Sequence, residues 1–307
     1  MPARLFNRFK RFLLALGVAL GLPGCRPAPT PTIPPITLTP ASYAVTVEKI
    51  AGFESKALGN RRALSIYLPY DYAMADRRYP VLYVNDGQDM PLMKLAQTLE
   101  TLYAEGQIDP IIVVAIPANA DRLQEYGTLA APNADGYGAR APHYAQFVTD
   151  EVIPAINTRY RVLTGSENTT IMGMSLGGLS AFDLAWHYPE VFGQVGVFSG
   201  SFWWRSAHGA LEARLASRLA HSTVRNSDPR PGLRFWFEAG TRDETSDRDG
   251  NGVIDAIQDT TELMDELARK GYVNGGDMVY VEVEGGEHNP RTWGEVLPEF
   301  LMWAFGR

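Results

Sequence analysis

Residues 171–178 read IMGMSLGG, an apolar run that reaches a glycine, sets one serine between Met174 and Leu176, and continues into two more glycines. The residues before it, NTTIMGM, have the length and apolar content of a buried strand, and those after it, LGGLSAFDLAWHYP, have helical spacing. Gly173-Met174-Ser175-Leu176-Gly177 is thus a G-x-S-x-G set placed where a strand turns into a helix. Glycines flanking the serine leave room for the chain to bend tightly around it. The hydroxyl then stands above the carboxyl edge of the sheet, beside a helix N-terminus whose free amides favour developing negative charge. The amide of Leu176 is the first candidate oxyanion donor.

A serine hydroxyl needs a base to take its proton, and in a site of this type the acid and then the histidine follow the serine along the chain. Of five histidines, His143 precedes the serine, His187 lies in the helix after it, and His208 and His221 fall in a polar helical stretch. His288, in VEGGEHNP, is the one that follows a late strand, and it is the predicted general base. For the acid, WFEAGTRDETSD offers several carboxylates. Asp243, just past a Gly-Thr turn beyond the strand, is preferred, with Glu244 and Glu238 behind it. Its role would be to hold the imidazole tautomer and stabilise the cationic ring. The second oxyanion donor should come from the loop after an early central strand. LYVNDGQDM has that placement, and the backbone amide of Gln88 is the candidate, followed by Gly87.

Outward from this stretch the pattern alternates. YAVTVEKIAGF and RALSIYLP alternate apolar and polar residues, as antiparallel strands with one buried face do. YPVLYVND, IIVVAIP, QVGVFSG, LRFWFEAG and MVYVEVEGG read as further strands. PHYAQFVTDEVIPAINTRY, the stretch around 208–220, DTTELMDELARKG and TWGEVLPEFLMWAFG read as helices between them or after them. Such alternation predicts one α/β domain over 43–307, a mostly parallel sheet covered by helices on both faces, with antiparallel strands at its N-terminal edge.

The segments YPVLYVNDGQ, FVTDEVIPAINTRY, IMGMSLGGLSAFDLAWHYPEVFG, FSGSFWW and VEGGEHNPRTWGEVLPEFLMWAF resemble the esterase D and enterochelin-esterase-like branch of the α/β-hydrolase superfamily, which also holds feruloyl esterases. The resemblance runs over roughly residues 60–306. It implies an α/β-hydrolase fold and hydrolysis of carboxylic esters through an acyl-serine, with Ser175, Asp243 and His288 matching by motif position and no cofactor required. SGSFWW and EAG point to the enterochelin-esterase side. A feruloyl or acetyl carbohydrate esterase and an acyltransferase are the alternatives, and a non-catalytic ligand-binding lipoprotein is the reading outside the class. Trp203 and Trp204 are candidates to stack on an aromatic or sugar group of the substrate. Arg122 and Arg205 are candidate sources of local positive charge.

The loop DRDGNGVIDAIQD, residues 247–259, sets Asp247, Asp249, Asn251 and Asp255 at alternate positions around Gly252, as in a calcium loop, with Gln258 where a bidentate glutamate would stand. The expectation is a structural calcium ion that stiffens the loop carrying Asp243.

The N-terminus has its own logic. Residues 1–24 hold Arg4, Arg8, Lys10 and Arg11 and then an apolar run from Phe12 to Leu22, the pattern of an export signal. The run ends at LPGC, and Cys25, the single cysteine, fits a lipidated residue that would anchor the protein to a membrane of the bacterial cell envelope. Residues 25–42 then form a proline- and threonine-rich tether. The whole chain has 307 residues and a formal charge of −7; without the signal, 24 Lys and Arg face 35 Asp and Glu, which is −11. So acidic a surface excludes nucleic acid as the expected partner. A small-molecule or glycan ester and the membrane are the expected ones, and oligomeric state is not legible.

Overall fold

The computed structural model describes residues 43–307. The export signal, Cys25 and the tether lie outside the described residues.

Eight strands form one sheet: β1 (Thr46–Ser55), β2 (Asn60–Leu68), β3 (Val81–Asn85), β4 (Ile112–Ile116), β5 (Thr169–Met174), β6 (Gln194–Phe198), β7 (Arg234–Arg242) and β8 (Met278–Glu287). Their order is β1-β2-β4-β3-β5-β6-β7-β8. β1 and β2 pair antiparallel, β2 pairs antiparallel with β4, and every other neighbouring pair is parallel. The expected α/β-hydrolase sheet with its antiparallel N-terminal edge is therefore present.

Among the described residues, nine α-helical segments accompany it: α1 (Leu95–Ala104), α2 (Arg122–Glu125), α3 (Ala141–Gln146), α4 (Ile153–Arg159), α5 (Leu176–His187), α6 (Leu211–Ala216), α7 (Leu219–Asn226), α8 (Asp255–Arg269) and α9 (Pro290–Phe305). Strand alternation divides the core between the two faces. Val81, Tyr83 and Ile171 pack on the side of α4, α5 and α8. Leu82, Val84, Met172 and Met174 point the other way, onto α1 and α9. Because β3, β4 and β5 are buried on both faces, their sequences are mostly apolar, β4 without a break and the others apart from Asn85, Thr169 and Thr170.

Three local features depart from the sequence reading. β1 is exposed along most of its length, because it is the edge strand and nothing among the described residues covers its outer side. The helix expected over 142–160 is interrupted by a π-helical turn, Phe147–Val152, just before Pro154. Proline has no N–H to give to the preceding turn and its ring crowds the carbonyl four residues back, so the wider turn lets α3 pass into α4. The stretch around 208–220 is two short helices, α6 and α7, broken at Ser217 and Arg218.

Candidate active site

Ser175 sits between β5 and α5 with φ 54° and ψ −124°, a conformation that costs a residue with a side chain about 1–3 kcal/mol. The surrounding chain holds it there. A Cβ on Gly173 would overlap the Gly177 carbonyl, and one on Gly177 would overlap the Asp86 carboxylate, so both glycines of the motif are required by close approach. The Ser175 amide donates to the Phe198 carbonyl (2.8 Å), and the Ser201 amide donates to the Ser175 carbonyl (3.1 Å). The side-chain hydroxyls of Ser175 and Ser201 lie 3.4 Å apart.

The loop after β3 is tied to the same turn. Asn85 Nδ2 donates to the Gly177 carbonyl (2.8 Å), and the Tyr144 hydroxyl donates to Asn85 Oδ1 (2.6 Å). Asp86 is left-handed at φ 54°, and its amide donates to the Tyr126 hydroxyl (2.9 Å). Its buried carboxylate receives a two-pronged Arg122 guanidinium at 2.7 and 2.8 Å. Burial and the neighbouring Asp86 charge push the Tyr126 phenol well above its ordinary pKa, so it remains a neutral hydroxyl.

Four strand ends meet in one cleft of about 280 Å³, lined by Ser175 after β5, Ser199, Gly200, Ser201 and Trp203 after β6, Asp243 and Glu244 after β7, Ala256 of α8, and His288 after β8. All but Ala256 follow the carboxyl ends of parallel strands, where open α/β sheets place their ligands. His288 Nδ1 lies 3.8 Å from Asp243 Oδ2, and Asp243 is the one carboxylate within 4 Å of that ring among the described residues. The gap is ion-pair range and exceeds a hydrogen bond; catalytic contacts often tighten only once substrate is bound. Ser175 and His288 share the cleft without a direct hydrogen bond. The start of the last helix positions His288: Asn289 caps α9, accepting from the amides of Arg291 and Thr292, with Pro290 at the first helical position. The His288 ring also meets the edge of Trp293 at 5.2 Å between centroids. A close approach of Gly240 to the Gly286 carbonyl lets the ends of β7 and β8 converge beneath it.

Behind this pair lies a carboxyl group without solvent. Glu238 is fully buried, and its pKa is raised to about 8 by burial and by the adjacent Asp243 charge. It receives Ser199 Oγ at 3.4 Å, and Ser199 Oγ in turn receives the Trp293 indole N–H at 2.8 Å. Neither oxygen of Asp243 has a hydrogen-bond partner among the described residues.

The other predicted residues divide. Leu176 stands at the first position of α5, and no backbone acceptor among the described residues takes its amide. Gln88 lies in the 3₁₀ turn Gly87–Asp89, again with no such acceptor for its N–H. It lines a neighbouring groove of about 690 Å³ with Met90 and Lys94, which shares no residue with the serine cleft. Trp203, 44 % exposed, lines the cleft. Trp204 does not; at 2 % exposure it packs in the core, against the backbone of Gly127 and Gly138. Arg122 is likewise not at the cleft, because the Asp86 carboxylate holds its guanidinium.

The expected calcium ligands are partly engaged within the loop itself. Asp247 accepts the amides of Gly250, Asn251 and Gly252, and Asn251 Oδ1 accepts that of Val253. Arg248 Nε lies 3.0 Å from Asp255 Oδ1, so the last ligand already faces a cation. The one set of His and acidic groups whose ligand atoms gather within 4.8 Å, among the described residues, is His221, Asp259 and Glu262. Sequence reasoning did not foresee the roles of Ser199, Ser201 and Trp293. Their signal, the SGS after β6 and a tryptophan one turn into α9, acquires meaning only once the strand ends are brought together.

Comparison with known proteins agrees with this geometry. A protein of Bacillus subtilis strain 168, YbbA, is 26 % identical over 260 residues, covering 83 % of this chain and 96 % of its own. The iron(III) enterobactin esterase of Escherichia coli O6:H1 is 31 % identical over 193 residues, 62 % of this chain and 44 % of its own length. A ferulic acid esterase structure superposes with a TM-score of 0.65 at 18 % identity, over 86 % of this chain and 98 % of that one. The model of the "Putative esterase" family matches residues 55–304, and the chain belongs to that family, an esterase-like branch of the α/β-hydrolases.

Proposed function

We propose that the chain is an exported serine esterase that cleaves carboxylic esters through an acyl-serine intermediate. The observation that carries this is the strained Ser175, open to the same cleft as His288, with the Asp243 carboxylate behind the imidazole. Ser175 Oγ attacks the ester carbonyl while His288 takes its proton; the same proton then goes to the leaving alcohol. Asp243 orients the ring and offsets its positive charge. The Leu176 amide, with that of Gln88 across the loop clamped by Asn85, receives the developing oxyanion. Water, activated by His288, releases the acid and restores the serine.

Similarity to the enterobactin esterase supports a siderophore-like ester substrate. The exposed face of Trp203 equally suits a sugar ring, so a feruloyl or acetyl carbohydrate ester is the second reading. Mass spectrometry of products from enterobactin and from feruloylated xylan separates the two. Export and anchoring through Cys25 rest on the sequence, and a Cys25→Ala chain recovered with the membrane fraction would count against the anchor.

The test of the mechanism is a fluorophosphonate adduct mapped to Ser175, together with 4-nitrophenyl butyrate hydrolysis. Ser175→Ala should fall by about 10⁴-fold or more, to near background. Equal rates in the two proteins would leave a ligand-binding scaffold as the better account.

A further inference from the structure

Beyond Trp203 the cleft adjoins a small cavity of about 40 Å³ lined by Arg205, Arg214, Arg218 and Arg248, together with Leu211, Leu215 and Asp255. Trp203 belongs to both walls. Two of these arginines are neutralised inside the protein. Arg218 bridges Asp259 and Glu262, and Arg248 bridges Asp255 and Asp259. The other two are not: among the described residues, Arg205 and Arg214 form no salt bridge, and the Nε–H of each is buried without an acceptor. Both arginines are half-buried, and apart from the Arg205 Nη1 bond to the Trp203 carbonyl (3.4 Å) neither has a partner for its charge, so this wall can receive an anion. The local field agrees. His221, in the turn after Arg218, has its pKa lowered to about 3 by burial and by the Arg218 charge, so it adds no charge of its own.

The catalytic cleft has the opposite character. Asp243 and Glu244 line it, and an anion beside Ser175 would be repelled by them. An anionic group is therefore favoured beyond Trp203 and disfavoured next to the serine.

We propose that Arg205 and Arg214 form a carboxylate-binding subsite, and that the preferred ester carries a free carboxylate on the arm that passes Trp203. The guanidinium fork matches a carboxylate in shape, and the tryptophan face covers the segment between anion and scissile carbonyl. The claim deepens the esterase reading and rests on it.

The experiment compares kcat/KM for mono-4-nitrophenyl esters of glutaric, adipic and suberic acid with their methyl-capped counterparts, at fixed ionic strength. The capped ester has nearly the same length and shape without the charge. For at least one chain length the free acid should be preferred by about tenfold or more, as charge-assisted hydrogen bonds allow. In Arg205→Gln/Arg214→Gln that ratio should fall to near unity, and Arg205→Lys/Arg214→Lys should recover part of it. A ratio near unity in the wild type at all three lengths, or one that survives the glutamine pair, overturns the subsite. Hydrolysis of 4-nitrophenyl butyrate that depends on Ser175 keeps the esterase reading standing in that event. If no ester is turned over, the esterase reading fails by itself. Calorimetric titration of Ser175→Ala with the three dicarboxylates then decides the subsite: heat lost in the glutamine pair supports it, and no heat overturns it.

Discussion

The two halves of the active site are built on opposite principles. On the serine side the backbone contacts are close and the polar side chains beneath the turn are matched, the free amides of Leu176 and Gln88 apart. Gly173 and Gly177 are packed against backbone and carboxylate, Asn85 ties the β3 loop to α5, and Arg122 neutralises Asp86. On the acid–base side the contacts are open. His288 is exposed, its partner Asp243 is 3.8 Å away, and the Asp243 oxygens and one Glu238 oxygen lack partners among the described residues. The strained nucleophile needs an over-determined frame to persist. The proton carrier needs freedom to reach either the serine or the leaving group, and a rigid cage would forbid that. Stability is therefore concentrated under Ser175, and slack is kept at His288.

The contrast is sharpest when one residue from each half is changed. Gly173→Ala should be the most damaging substitution, because its Cβ meets the backbone carbonyl of Gly177 and no side chain can yield. A loss of more than about 4 kcal/mol in urea unfolding, or failure to fold, is expected. Asp243→Asn should do the reverse: kcat should fall by about 10³–10⁴-fold through loss of the correct tautomer, while the unfolding midpoint moves little. A folded, stable Gly173→Ala, or an Asp243→Asn that unfolds, would erase the distinction between the halves.

The same contrast explains which parts were legible in the sequence. The elbow is local: strand, glycine, serine, glycine and helix are contiguous, and sterics of near neighbours dictate them. Ser175 and the strand and helix on either side of it are readable for that reason. His288 was reachable by elimination, as the one histidine after a late strand. The rest depends on distances the chain order does not carry. Nothing in FWW says that Trp203 faces solvent and Trp204 the core; their opposite directions follow from how the β6 loop lands on Gly127 and Gly138. Arg122 looked available because Asp86, 36 residues earlier, is its partner only in three dimensions. Alternation in β1 suggested a buried face, but edge position left most of it exposed.

Glu238 offers a finer probe of the loose half. Its folded pKa, about 8, lies above the ordinary carboxyl value of 4.5, so the folded protein keeps a proton there that the unfolded chain gives up. The stability this contributes is fully present below the unfolded pKa, declines as pH rises, and is gone above about 8. Glu238→Gln keeps the shape and a donor without the titration. Relative to wild type it should gain stability between about pH 6 and 9, on the order of a few kcal/mol, read by urea unfolding at the two pH values. A wild-type stability that rises over that interval by the same amount as the variant's would show that Glu238 is not held protonated.

The smallest effect is expected at the loop that looks most like a metal site. Residues 247–255 follow the β7 end that carries Asp243, so a calcium ion there would have been a way to stiffen the acid arm. Arg248 stiffens it instead. Its guanidinium lies 3.0 Å from Asp255 and 2.7 Å from Asp259, at the start of α8 and one turn further on, while the Asp247 carboxylate is occupied by backbone amides. A fixed guanidinium and a divalent ion compete for the same carboxylate oxygens, and the arginine is tethered. Adding calcium or a chelator should therefore move Tm by less than about 1 °C, whereas Arg248→Gln should lower it by several degrees, because the buried Asp259 loses one of its two cationic partners. A calcium-dependent rise in the Tm of Arg248→Gln alone would show that the loop retains a metal-binding shape that its own arginine suppresses.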